Sequence, residues 1–76
     1  MRRISSLAAL PDFILRIEFA NGVIKTFDFR PYLELPVFSV LKNETLFKKI
    51  RNRGYFIEWE GQDIDLSTET LWHEGK

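Results

Sequence analysis

Phe13-Ile14-Leu15-Arg16-Ile17-Glu18-Phe19-Ala20-Asn21-Gly22-Val23-Ile24-Lys25-Thr26-Phe27-Asp28 reads as two alternating strands around a turn. Phe13, Leu15, Ile17 and Phe19 share one face, and Ile14, Arg16, Glu18 and Ala20 the other. Period two with mixed polarity buries one face and leaves the other largely in water. Asn-Gly between such runs is a strong hairpin signal, because a type I′ turn needs φ > 0 at both central positions. The second strand alternates Val23, Lys25, Phe27 and Phe29 against Ile24, Thr26 and Asp28. A two-residue loop at Asn21-Gly22 is expected to set the register. A slip by one residue would turn the Phe/Leu/Ile set toward water.

Upstream, Arg3 to Leu10 can add a first strand, and Pro11-Asp12 reads as a turn. Downstream, Pro31 breaks the strand pattern and suits the first turn of a short helix through Tyr32 to Leu35. Leu35-Pro36 ends it. Val37, Phe38, Val40 and Leu41 recur at helical spacing, as a short helix or 3₁₀ piece. Asn43 is a good N-cap for a helix over 44–50, with Leu46, Phe47 and Ile50 as its apolar stripe. A strand follows Arg53-Gly54, with Tyr55, Ile57 and Trp59 on one face. Gly61-Gln62 turns into a last strand, Asp63 to Leu66. Ser67 caps a terminal helix whose Leu71 and Trp72 dock on the sheet. The order β-β-β-short helices-β-β-α reads as α+β, in one domain over residues 1–76.

A chain of 76 residues has a small core, since it buries only about 60% of its unfolded surface. Seven Phe and two Trp supply large packing area for it, and no cysteine is present to staple it. The lack of cysteine fits a reducing cytoplasm. Met1-Arg2-Arg3 is not followed by an uninterrupted apolar run, so no signal peptide is expected. No run approaches the ~20 apolar residues of a membrane helix. A soluble cytoplasmic protein without a membrane partner is the expectation.

The formal net charge is zero but unevenly spread. Residues 42–53 hold five basic groups and one acidic, whereas 54–76 hold one basic and six acidic. Either these segments face each other, or the basic one meets an acidic partner or nucleic acid. The overall balance lacks the usual signature of a dedicated nucleic-acid binder.

Taken in order, the motifs resemble a small prokaryotic family known as domain of unknown function 2442. Leu10-Pro11-Asp12-Phe13, the alternation through Phe19, Asn21-Gly22 and Phe27-Asp28 with Pro31-Tyr32-Leu33 carry the first half. Phe38-Leu41-Lys42, Phe47, Trp59, Asp63-Ile64-Asp65-Leu66-Ser67 and Leu71-Trp72 before Glu74-Gly75 carry the second. The resemblance implies an α+β fold: a small curved antiparallel sheet, here of about five strands, packed on short helices. Some relatives of this kind precede a helix-turn-helix domain, which implies work in transcription. Others stand alone beside a second small protein, in an arrangement like a toxin–antitoxin pair. The resemblance brings no catalytic residues with it.

Each candidate site has two readings. Asp63 and Asp65, with Glu58 and Glu60, resemble part of an acidic metal site but lack the EF-hand pattern. Turn and backbone hydrogen bonding explains the two aspartates better. His73 has no cysteine or serine partner at triad spacing and sits where a cation favours a helix C-terminus. Asp28 and Arg30 can form a local ion pair. Trp59 and Trp72 are either core or exposed anchors, since Trp is enriched at interface hot spots. Lys48, Lys49, Arg51 and Arg53 beside Tyr55 and Phe56 resemble a single-strand binder's basic, aromatic stretch. No catalytic, cofactor or metal residues are expected, and the chain does not read as an enzyme. The leading expectation is a protein-interaction or regulatory module, antitoxin-like in its most specific form. Its partner is another small protein, its gene neighbour, or a second copy. The named contact residues are Lys48, Lys49, Arg51, Arg53, Trp59 and Trp72. The alternative is a nucleic-acid-binding accessory or transcription-related domain using residues 42–53.

Overall fold

A computed structural model describes residues 2–76; Met1 of the Met1-Arg2-Arg3 segment lies outside them. Strands β1 (Ile4–Leu10), β2 (Ile14–Phe19) and β3 (Ile24–Asp28) form one antiparallel sheet in that order. Two 3₁₀ segments follow, Arg30–Glu34 and Pro36–Lys42, then a one-turn helix α1 (Glu44–Phe47). Strands β4 (Ile50–Asn52), β5 (Phe56–Trp59) and β6 (Asp65–Ser67) form a second antiparallel sheet, and α2 (Thr68–Glu74) closes the order.

The expected single sheet of about five strands is therefore replaced by two sheets of three strands each. Two local events account for the difference. The helix capped by Asn43 stops at Phe47, and Ile50–Asn52 leaves to pair with β5 instead of completing a helical stripe. The register of β1 shifts between Ile4 and Ser6, a bulge that interrupts its ladder. The two sheets meet at the start of β1. There Ile4 N–H donates to the Gly54 carbonyl at 2.7 Å, and Asn52 Nδ2 donates to the Ile4 carbonyl at 3.0 Å.

The hairpin at Asn21-Gly22 is present, but its loop has three residues rather than two. Gly22 N–H donates to the Phe19 carbonyl and Phe19 N–H to the Val23 carbonyl, both at 2.9 Å. Gly22 alone takes positive φ, at 89°, while Asn21 accepts from Val23 N–H through Oδ1. This is a type I turn with a bulged glycine, not a type I′ turn. The odd loop pairs Leu15 with Phe27 and Ile17 with Lys25. Directly opposite residues share a face, so both apolar rows point into the core. A two-residue loop would have opposed Leu15 to Asp28.

At the other end of β2, Pro11–Phe13 is a 3₁₀ turn in which Asp12 and Phe13 both adopt left-handed φ, 66° and 60°. A bulky residue adopts this conformation only when its surroundings hold it there. The Phe13 carbonyl accepts from Phe29 N–H at 2.9 Å, and its ring packs edge-on against Phe47 at 5.1 Å.

Phe29, fully buried, is the hub of the core. The rings of Phe27, Tyr32, Phe38, Phe47 and Trp59 lie with centroids 5.3–6.0 Å from it. Leu15, Ile17, Phe19, Ile57, Leu71 and Leu41 complete the packing between the two sheets. α2 is capped as expected: Ser67 Oγ accepts from Thr70 N–H at 3.3 Å, and Leu71 is fully buried.

Candidate functional site

The basic stretch and the acidic stretch face each other across β4 and β5. Arg51 lies opposite Glu58 in the ladder. Arg51 Nη2 reaches Glu60 at 2.9 Å, and Arg53 Nε reaches Glu58 at 2.6 Å. These are diagonal cross-strand pairs of opposite charge, the kind a short sheet uses to fix its pairing. Lys48 lies 3.9 Å from Glu44, and Lys42 3.9 Å from Glu34. Lys49 forms no ion pair among the described residues. Four of the named contact residues thus divide: Arg51 and Arg53 are engaged within the fold, and Lys48 and Lys49 project from the end of α1. Of the face expected to hold Tyr55, Ile57 and Trp59, the last two are buried, while Tyr55, just before β5, is exposed, as is Phe56.

The two tryptophans also divide. Trp59 is a core residue with about 1% exposure, and its Nε1–H donates to the Phe47 carbonyl at 3.0 Å. In this fold it is closed to a partner. Trp72 is half-buried and held from two sides. Arg2 lies 4.1 Å from its ring centroid and Lys25 Nζ 4.3 Å, while Phe19 packs edge-on at 4.9 Å. Lys25 Nζ also donates to the Trp72 carbonyl, and Arg2 Nη1 to Glu69 Oε2 at 3.0 Å. The stack is a clamp between the start of the chain, β3 and α2.

Among the described residues no group of three or more His, Cys, Asp or Glu has metal-holding geometry. Asp63 and Asp65 are exposed, and no turn hydrogen bond to either carboxylate is formed among the described residues. His73 is exposed, with Nε2 3.9 Å from Glu69 one turn earlier. Asp28 and Arg30 form the expected ion pair, with two contacts of 3.0 and 2.7 Å. That hydrogen bonding holds the Asp28 carboxyl below its ordinary range and raises Arg30.

Two surfaces emerge that the sequence reading did not single out. The 3₁₀ segment Pro36–Lys42 repeats every three residues, so Phe38 and Leu41 turn inward while Val37 and Val40 form an outer ridge. Val37 is 59% exposed, and Leu35 just before it 46%. The second surface is the outer edge of β3. Thr26 there exchanges two backbone hydrogen bonds with Lys76, of 3.0 and 2.8 Å. A groove of about 500 Å³ wraps the same edge, lined by Ile14, Phe27, Asp28, Pro31 and Tyr32. No helix of the described residues is long and apolar enough to cross a membrane.

The family described as "Protein of unknown function (DUF2442)" matches residues 4–76, nearly the whole chain. Comparison with curated proteins and with solved structures finds no match.

Proposed function

We propose that this chain, which belongs to the DUF2442 family, acts as a protein-interaction module that regulates a second small protein. The observation that carries this reading is the apolar ridge of Val37 and Val40, flanked by Leu35. A segment whose inner row already fills the core has no folding need for a second apolar row. Apolar side chains grouped on one surface mark a place where another protein excludes water. An antitoxin-like role is the specific form this takes, with the gene neighbour as the partner.

The test begins with the protein that the wild-type chain recovers from its own nuclease-treated lysate. That protein is then titrated against wild type and against Val37→Glu/Val40→Glu. Both positions are exposed, so the fold is retained and the circular dichroism spectrum unchanged. Binding weakens at least tenfold, the equivalent of about 1.4 kcal/mol. Equal affinity for the two chains would sink the reading.

A second reading draws on the exposed rings of Tyr55 and Phe56 and on Lys49, which forms no ion pair among the described residues. Exposed aromatic rings together with exposed cations are the elements of a single-strand binding surface. With Arg51 and Arg53 held by Glu60 and Glu58, only the two lysines remain to displace counterions. Single-stranded DNA would then bind weakly, with a log–log salt slope of about −1.4, roughly −0.7 per phosphate. A slope near zero, or binding unchanged by Lys48→Glu/Lys49→Glu, excludes this reading.

A further inference from the structure

Strand β3 has a free side, and the ladder geometry says which groups it offers. Thr26 lies opposite Arg16 on β2, yet its N–H and carbonyl bond outward to Lys76. The outward set in an antiparallel strand alternates, so Ile24 and Asp28 also turn their N–H and C=O away from β2. Phe29 N–H and the Val23 carbonyl bond inward, as that alternation requires. Ile24 and Asp28 are exposed, and among the described residues no backbone group pairs with their outward donors and acceptors.

Among the described residues this edge is occupied by the segment Gly75-Lys76, whose Gly75 N–H also donates to the Leu71 carbonyl at 3.0 Å. It makes a single two-bond bridge at Thr26, with Gly75 extended at φ −74° and ψ 157°. The bridge depends on Gly75 having no side chain. A Cβ there would lie 2.6 Å from the Leu71 carbonyl and 3.2 Å from Lys25 Cβ. The segment is therefore threaded between the end of α2 and the edge of β3.

We propose that the outer edge of β3 is a strand-docking site for an extended segment of a partner protein, with Gly75-Lys76 as its removable cover. The resident segment shows what the edge accepts, an extended backbone in antiparallel register. A partner strand pairing at Ile24, Thr26 and Asp28 forms three bridges where the cover forms one. Outward groups two residues apart repeat at about 6.8 Å, the spacing of an extended chain and of no helix. Asp28 is neutralised by Arg30, so the edge carries no charge that would repel a peptide backbone. The groove beside it is walled by Ile14, Phe27, Pro31 and Tyr32 and closed on its other side by Glu74 and Lys76; with Lys76 displaced, its apolar wall receives one apolar side chain of the incoming strand. This is recognition by strand addition, with main-chain bonds giving affinity and the groove selecting a side chain. It uses residues other than the Val37–Val40 ridge and stands or falls apart from it.

The probe is a displayed library of random heptapeptides, selected on the full chain and on a chain ending at Glu74. Selected peptides should shift the amide resonances of Ile24, Thr26 and Asp28. They should also bind the shortened chain at least tenfold more tightly, because no cover competes. Should the shortened chain not fold, Gly75→Val takes its place, since that side chain cannot pass the Leu71 carbonyl. Thr26→Pro removes an outward N–H while leaving the bonds to β2 intact, and it should weaken the same peptides tenfold. Peptides that map elsewhere, that bind covered and uncovered chains equally, or that are not recovered from either form overturn the proposal.

Discussion

Replacing Trp59 by Phe keeps a ring in the core but removes the Nε1–H that the Phe47 carbonyl accepts. A buried carbonyl left without its donor costs about 1–3 kcal/mol, and the smaller ring adds a void. Trp59→Phe should therefore lower the unfolding free energy by about 3 kcal/mol in urea titration, with little change in the slope. A loss under about 1 kcal/mol would mean that Trp59 packs without using its nitrogen. The sequence named this residue but left its side open. Both tryptophans lie on amphipathic elements, and nothing in their spacing separates the one under the sheet from the one at its rim. What separates them is long-range: Phe47 beneath Trp59, and Arg2 and Lys25 on either side of Trp72.

Among elements, the strands with strict alternation were legible and the short ones were not. β2 and β3 follow directly from their period of two, and the inward rows are those expected. The turn between them was read one residue short, because Asn-Gly fits both a type I′ turn and a bulged type I turn, and only parity with the flanking rows chooses. β4 has three residues and lies within the helical stripe of Leu46, Phe47 and Ile50, so no periodicity marks it. The ridge was hidden for a similar reason. Val37, Phe38, Val40 and Leu41 are all apolar, and a period of three divides them in a way that hydrophobicity alone does not show. β3 ends in a device that makes a pH prediction. Arg30 hydrogen-bonds the Asp28 carboxylate and depresses its folded-state pKa below the unfolded value, so the pair stabilises the fold above that unfolded value. The contribution is lost as the pH falls through the depressed folded value. The thermal midpoints of wild type and Asp28→Asn should therefore differ near neutrality and converge as the pH falls through the depressed folded value. A gap that persists at the lowest pH would show that the side chain acts through something other than its charge.

At the scale of the whole molecule, the family and the α+β class were legible because they rest on order along the chain. The division into two sheets was not, because it rests on β4 leaving the helical stripe to pair with β5 and on the register shift in β1 between Ile4 and Ser6. The uneven charge map resolves at this scale as well. The positive and negative segments meet across β4 and β5 through two ion pairs, Arg51 with Glu60 and Arg53 with Glu58. The clamp on Trp72 joins residues 67 positions apart, Arg2 to Glu69. That closure has a consequence for synthesis. The hairpin strands leave the ribosome first, but Phe19 gains the ring of Trp72 only after the last helix has been made. At about 5–20 residues per second, the early sheet waits several seconds with part of its apolar face uncovered. During that interval the nascent chain is most open to chaperones and to aggregation, and a translational pause ahead of residue 69 would prolong the exposure.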